Sequence, residues 1–371
     1  MWNKPYVPFL NLAEEVGELA GELRDAFTEV IESGCFLNGP QVDHFERELA
    51  RRCGSRYAIG VGSGTQALQI LLLAHGIGRG DEVITTPASF FATAKAIAMV
   101  GARPIFADVR PGDYCIDPDA VRRLITPRTR AILAVHLYGR PVDVAALGEI
   151  AAEHGILLLE DAAHALGGSV DGHPVGSLGH GAALSFYPTK NLGALGDAGA
   201  VVVDDPRVAA RAASARFLGT SGRRDEFDQE GISGRMDELQ AAVLLVRLRH
   251  FDQRQAERAA RVDRYRASLP GSLLLQPAPL GVIDAHHLFV IRHPERNRLA
   301  RELANAGVAT QVHYRVALHR QPVFGPQRPQ PVADRWADEV LSLPLSRAVT
   351  DDCQDQVIQA VTGLTHRLGR G

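Results

Sequence analysis

Cysteine is scarce and scattered. Cys35, Cys53, Cys115 and Cys353 are spread over 371 positions, with no Cys-x-x-Cys pair. That spacing argues against a zinc site or a disulfide framework and suits a reducing compartment, so a cytoplasmic protein without a metal is expected. Long apolar runs are missing too. No stretch approaches the roughly 18–20 residues of a membrane span. The opening MWNKPYVPFLNLAEEVGELAGEL turns acidic and helical too soon for a signal peptide. An excess of one charge is also lacking. With 40 Lys and Arg against 43 Asp and Glu, the net charge is -3, which gives no global attraction to nucleic acid or to an anionic membrane. The arginine clusters in ITPRTRA and GRRDEF read as solvated surface. There is no internal repeat and no low-complexity tail.

What is present suits an ordinary globular protein: 46% hydrophobic and 22% charged residues. The length fits a large domain, 1–245, followed by a smaller one, 246–371. Helical spacing covers 12–34 and 40–52, and from residue 58 strands alternate with helices. Strands are expected at 58–64, 81–87, 103–109, 130–139 and 155–167, and in GAALSFYPT and AGAVVVDD. Helices are expected at 65–76, 89–101 and 143–154. The runs AILAV and ILLLE are continuously apolar, as in strands buried on both faces of a mainly parallel sheet. Residues 236–268 read as one long helical stretch leading out of the large domain. Beyond Pro270 come short strands (LFVIRH, ATQVHY), helices at 299–306 and 351–368, and a loop over 319–335, an α+β pattern.

The polar clusters fall at strand ends, where open α/β sheets bind ligands. Gly62-Ser63-Gly64-Thr65 joins a strand to a helix, a place where backbone amides and the helix dipole favour a phosphate. The turn is neither G-x-G-x-x-G nor G-x-x-x-x-G-K-[ST], so neither a Rossmann nor a P-loop site is implied. Asp161 and His164 follow the strand GILLL. The acid could cap a helix, or pair with a cationic heterocycle such as the pyridinium of pyridoxal 5'-phosphate. Lys190 stands alone in LSFYPTKNLGALGDAGA. An exposed loop lysine is the bland account. A lysine in a poorly hydrated site would instead form a Schiff base with a carbonyl. Phe90, in PASFFATA, could be core or could stack on a flat ring.

Together, GSGTQAL, SFFATA, LEDAAHA, SFYPTKNLGALGDAGA and GRMDELQAAVL resemble the DegT/DnrJ/EryC1/StrS sugar aminotransferases, over most of the chain. The resemblance implies an α/β, fold-type I enzyme dependent on pyridoxal 5'-phosphate (PLP). Its large domain would carry a mainly parallel mixed sheet flanked by helices, with a smaller C-terminal α+β domain. It further implies that Lys190 forms the Schiff base, Asp161 binds the pyridine nitrogen and His164 reaches the ring hydroxyl. Phe90 would stack on the ring, and Gly64, Thr65 and Ser185 would hold the phosphate. Lysine at 190, where a dehydratase branch carries histidine, favours a transaminase.

NLGALGDAGA is similar to enzymes that aminate C3 of a dTDP-3-keto-6-deoxyhexose with L-glutamate as donor, working as homodimers in deoxyaminosugar biosynthesis. Amination at C4, of a UDP-3-keto-sugar or of a cyclitol stays open, as does a PLP-binding regulatory homologue without turnover. Ser233 replaces an asparagine that, in the family, reaches the neighbouring subunit's phosphate. His286-His287 replaces a Trp-His pair, and His313-Tyr314-Arg315-Val316 lacks a usual proline. Arg235, His313, Tyr314 and His319 are the candidate substrate residues.

Overall fold

The computed structural model describes residues 6–223, 225–277 and 279–368. Arg224 of the GRRDEF cluster and the outer ends of the two expected domains lie outside them. A seven-stranded sheet has the order Tyr57–Val61, Gly199–Val203, Ala182–Ser185, Leu157–Asp161, Thr129–Val135, Glu82–Thr85, Arg103–Phe106. Only Gly199–Val203 runs against the rest, pairing antiparallel with both of its neighbours. The sheet is therefore mixed but mainly parallel. The two apolar runs lie at its centre, buried along nearly their whole length. Helices cover both faces, so consecutive side chains of one strand enter different cores.

The C-terminal part builds a three-stranded sheet, Leu274–Leu275, Phe289–Arg292 and Val340–Leu343. Its own core includes Val262, Tyr265, Phe289, Leu341 and Val357. A further apolar cluster joins the two parts: Val135, Leu137 and Tyr138 from the large sheet's edge meet Val290, Trp336 and Val340. Tyr138 is its polar centre. Its hydroxyl accepts a hydrogen bond from Trp336 Nε1 at 2.9 Å and donates one to the His313 carbonyl. None of the described helices is long and apolar enough to cross a membrane.

Three expectations are corrected. The stretch 236–268 is two helices, Glu238–Arg249 and Phe251–Ser268. The first is buried on nearly every side within the large layer, whereas the second leaves it. The chain turns at His250, and Phe251 enters the core with 2% exposure. ATQVHY is not a strand. Only Gln311 keeps a ladder contact, with Ser342, and the following residues turn towards the large sheet. The loop over 319–335 ends early, because a helix spans Pro331–Glu339. Its first amides, those of Val332 and Ala333, donate to the Asp108 carboxylate at 3.0 and 2.9 Å. That cap lies more than 200 positions away, so no local sequence signal marks it.

Glu238 caps another helix in the same way. Its buried carboxylate accepts from the amides of Gly39, Gln41 and Val42 at 2.8–3.1 Å, at the start of Pro40–Arg52. An acid there satisfies orphan donors and matches the helix dipole. Glu238→Ala should therefore lower unfolding stability by about 2–4 kcal/mol, read from the urea midpoint, because buried amides lose their acceptor. A midpoint that stays put would show that water replaces the carboxylate.

Candidate active site

The large sheet brings four strand ends to one edge. Asp161 closes its strand, Ser185 closes the next, and the loops after Val61 and Thr85 lead to Gly64 and Phe90. Between them lies a cavity of about 390 Å³, lined by Gly64, Thr65, Phe90, Asp161, His164, Ser185 and Lys190. The C-terminal part closes it with His287, His313 and Tyr314. A cavity of this size falls in the usual range for a cofactor or small ligand.

Asp161 is the polar floor. It is 5% exposed, and burial holds its carboxyl above the ordinary value. The Thr93 hydroxyl donates to Oδ2 at 2.7 Å and the Ala163 amide to Oδ1 at 3.2 Å. Ser89 and Thr93 share a further hydroxyl bond of 2.7 Å. Both these bonds and the Lys190 charge favour the anion, but burial outweighs them. A carboxylate in that state gains most from one more cationic donor.

Lys190 follows the strand Ala182–Ser185 through a tight turn, its amide donating to the Tyr187 carbonyl at 2.8 Å. Poor hydration lowers its ammonium from 10.5 to about 8, against the pull of Asp161. A useful fraction of the amine is thus neutral near physiological pH. His164 accepts the Tyr138 amide at Nδ1, 3.3 Å away. Burial keeps the ring neutral, so its proton sits on Nε2, a donor for an oxygen acceptor. Phe90 is half exposed, its ring 5.5 Å from that of Tyr314.

At the other end, Ser63 caps the helix Gly64–Ala74, its hydroxyl accepting from the Gln66 amide at 3.2 Å. The amides of Gly64 and Thr65 have no intrahelical partner and face the anion-favouring end of the dipole. The cradle is close-built. A Cβ on Gly64 would lie 2.6 Å from the Ser185 Cβ, and one on Gly199 would lie 2.5 Å from the Ser63 carbonyl.

The structure therefore gathers Lys190, Asp161, His164, Phe90, Gly64, Thr65, Ser185, His313 and Tyr314 around one cavity. His313 is bonded to the Ser342 hydroxyl at 2.9 Å, and burial lowers its ring to about 4. Three candidates lie elsewhere. His319 is buried on the 3-10 turn Leu318–Arg320 and pairs with Asp334 at 3.1 Å. It supports a fold contact, and the family pattern alone had suggested a substrate role. Arg235 lies over the Phe217 ring at 4.7 Å, outside the cavity of its own chain. Ser233 is exposed next to it, bridged to Phe217. Sequence reasoning missed Thr93, Asn191 and the structural acid Glu160. Thr93 stands one helical turn beyond Ser89, a hydroxyl pair at i, i+4 that could have drawn attention to it.

Comparisons with known proteins place the chain in a family. The DegT/DnrJ/EryC1/StrS aminotransferase family profile matches residues 18–362. The erythromycin biosynthesis sensory transduction protein EryC1 of Saccharopolyspora erythraea is 44% identical over 95% of this chain and 98% of its own. The dTDP-3-amino-3,4,6-trideoxy-alpha-D-glucose transaminase of Streptomyces venezuelae is 40% identical over 98% and 97%. Among solved structures, S. venezuelae DesV in complex with a ketimine intermediate superposes with a TM-score of 0.94. Its identity is 40%, with 97% of this chain and 99% of that one covered. Bacillus subtilis NtdA with bound cofactor PMP, pyridoxamine phosphate, gives 0.91 at 32% identity, covering 98% and 86%. Matched by the profile over residues 18–362 and by these relatives over 95% or more of its length, the chain belongs to the DegT/DnrJ/EryC1/StrS aminotransferase family.

Proposed function

We propose that this aminotransferase uses Lys190, Asp161 and His164 to hold pyridoxal 5'-phosphate and to move an amino group from L-glutamate to C3 of a dTDP-3-keto-6-deoxyhexose. One observation carries the site assignment: a buried carboxylate still short of a cationic partner shares a cavity with a lysine poised near neutrality. The residues fit the cofactor. The glycine cradle at Gly64 and Ser185, with Thr65, suits its phosphate. Asp161 suits its ring nitrogen, His164 Nε2 its ring oxygen, and Phe90 its face. When bound, PLP supplies an electron sink for a carbanion next to the transferred nitrogen.

The protein's own work follows from these positions. Asp161, fixed by Thr93 and Ala163, keeps the pyridine nitrogen protonated, which is what makes the sink effective. Lys190, as a neutral amine, would take and return the substrate proton at Nζ. His313 and Tyr314 close the cavity from the small layer and exclude water around the sugar.

The sugar assignment rests on NLGALGDAGA and on the 40% identity to the S. venezuelae transaminase. The large domain, 1–245, would bind the cofactor and the small one, 246–371, would close over the sugar. A homodimer is part of the proposal. Phe36, Leu37, Phe217 and Leu218 are exposed apolar residues, and Ser233 and Arg235 sit on Phe217. On that surface both could serve a neighbouring subunit's cavity. Ser233 is shorter than the family's asparagine, so a water would bridge it to a phosphate. A second reading, PLP binding without turnover, is favoured by the name of the S. erythraea relative. It is tested by the same spectra.

Purified protein with PLP should absorb at roughly 410–430 nm and shift to about 330 nm on addition of L-glutamate. A band that ignores glutamate supports the regulatory reading, and a different product with a panel of keto-sugar nucleotides overturns the C3 assignment. Lys190→Ala should lose the band and all turnover; wild-type turnover would sink the assignment of the lysine.

Asp161→Asn should retain some PLP but lose roughly 10²–10³ in kcat, since the ring nitrogen loses its anionic partner. Thr93→Val should cost about tenfold, through one charge-assisted hydrogen bond. Kinetics unchanged in both would mean that another group supports the ring.

Capture of PLP by the apoprotein needs neutral Lys190. Its rate should rise with pH and level off above about 8, whereas an ordinary lysine would climb towards about 10.4. Asp161 raises the ammonium's value, so Asp161→Asn should move the midpoint lower. A midpoint near 10 in the wild type would show that Lys190 is well hydrated.

A further inference from the structure

Asn191 follows Lys190 directly, and its side chain makes three contacts. Nδ2 donates to the Ala285 carbonyl at 2.6 Å and to Gln255 Oε1 at 3.0 Å. Oδ1 meets His287 Nδ1 at 3.1 Å. Both amide protons are committed to oxygen acceptors, so Oδ1 can only accept and His287 Nδ1 must carry a proton. In the neutral ring, Nε2 is then an acceptor. Burial keeps that ring neutral, reinforced by the groups around it: His164, Lys190, Arg258 and His313.

The ring of His287 lies 4.4 Å from that of His164, tilted by 40°. The two are locked in opposite tautomers: the Tyr138 amide makes His164 a donor at Nε2, and Asn191 makes His287 an acceptor there. Asn191 also spans three pieces of the fold. It belongs to the Lys190 turn, and its partners lie on the helix Phe251–Ser268 and in the segment just before the strand Phe289–Arg292. Gln255 braces the same carbonyl, donating to Ala285 O at 3.2 Å.

We propose that Asn191 is a positioning residue: it ties the Lys190 turn to the small layer and holds His287 in the tautomer complementary to His164. The inference rests on the proposed function, because it acts through Lys190 and His164. With Asn191 in place, the neutral His287 carries its proton on Nδ1, and the Lys190 turn stays tied to the Ala285 carbonyl.

The test compares wild type, Asn191→Ala, His287→Phe and the double variant, all reconstituted with PLP. The readouts are the PLP Kd, the pH midpoint of the long-wavelength absorbance, and thermal stability. Each single variant should weaken PLP by at least about fivefold and move the midpoint in the same direction by about 0.3 unit or more. The double should be no more than about twofold worse than the poorer single, since both remove one bond. His287→Phe keeps a ring beside His164 and the other Asn191 bonds, so it decides alone if Asn191→Ala does not fold. Singles with unmoved midpoints overturn the proposal, even if they melt earlier. So do midpoints moving in opposite directions, or singles whose losses multiply in the double. Wild type that fails to bind PLP overturns the proposed function and this inference with it, whereas failure confined to the variants overturns only the inference.

Discussion

A carboxylate buried without full compensation is the constraint on which the site depends. Asp161 ends the central strand of the sheet, where water is excluded from both faces, and burial pushes its carboxyl above the ordinary value. Thr93, the Ala163 amide and Lys190 each pull the other way. That balance requires the helix Phe91–Met99 to start at one particular place, so that Thr93 reaches across from the neighbouring loop. It also requires the Lys190 turn to return to the same sheet edge. Displacing either element would leave a buried charge worth several kcal/mol without support.

The adjacent acid shows how the strand separates structure from chemistry. Glu160 is fully buried and accepts the amides of Gly176, Leu178 and Gly179, and it meets His136 Nε2 at 3.0 Å. It pins the loop that leads to the next strand. Asp161, one residue on, faces the other way because strand side chains alternate. The pair ED in the sequence gives no hint which of the two is which. The family pattern pointed to Asp161, and the structure supplies the physical difference: Glu160 is saturated with donors, and Asp161 is not.

The fold was legible wherever the cause was local. Continuous apolar runs marked the central strands, and glycine marked the ends of helices, as at Gly34, which adopts a left-handed φ of 65°. It was illegible where the cause was distant. Asp108 starts the helix at Pro331, which read as loop, whereas the helix at Pro40 was expected and only its cap, Glu238, was not. No window of sequence contains both partners. The site followed the same rule. Lys190 and Asp161 carried a chemical signature, but His319 is a buried, neutral ring against Asp334, outside the cavity. Asn191 bonds His287 and Ala285 from elements far apart in the chain, and such bonds leave no mark on residue type.

Two buried histidines, His164 and His287, and the half-buried His313 surround Lys190, and poor hydration keeps all of them neutral. A site meant to attract anions by net charge would instead use arginines or protonated imidazoles. Here the fixed positive potential comes from the amides at the start of Gly64–Ala74, at the phosphate end of the cavity. Lys190 is left with Asp161 as the charge that acts on it. An added positive charge there would lower the lysine further and weaken the proton's return to it. In the proposed function, a cluster of neutral rings would therefore let one amine, lowered to about 8, serve as anchor and as proton carrier.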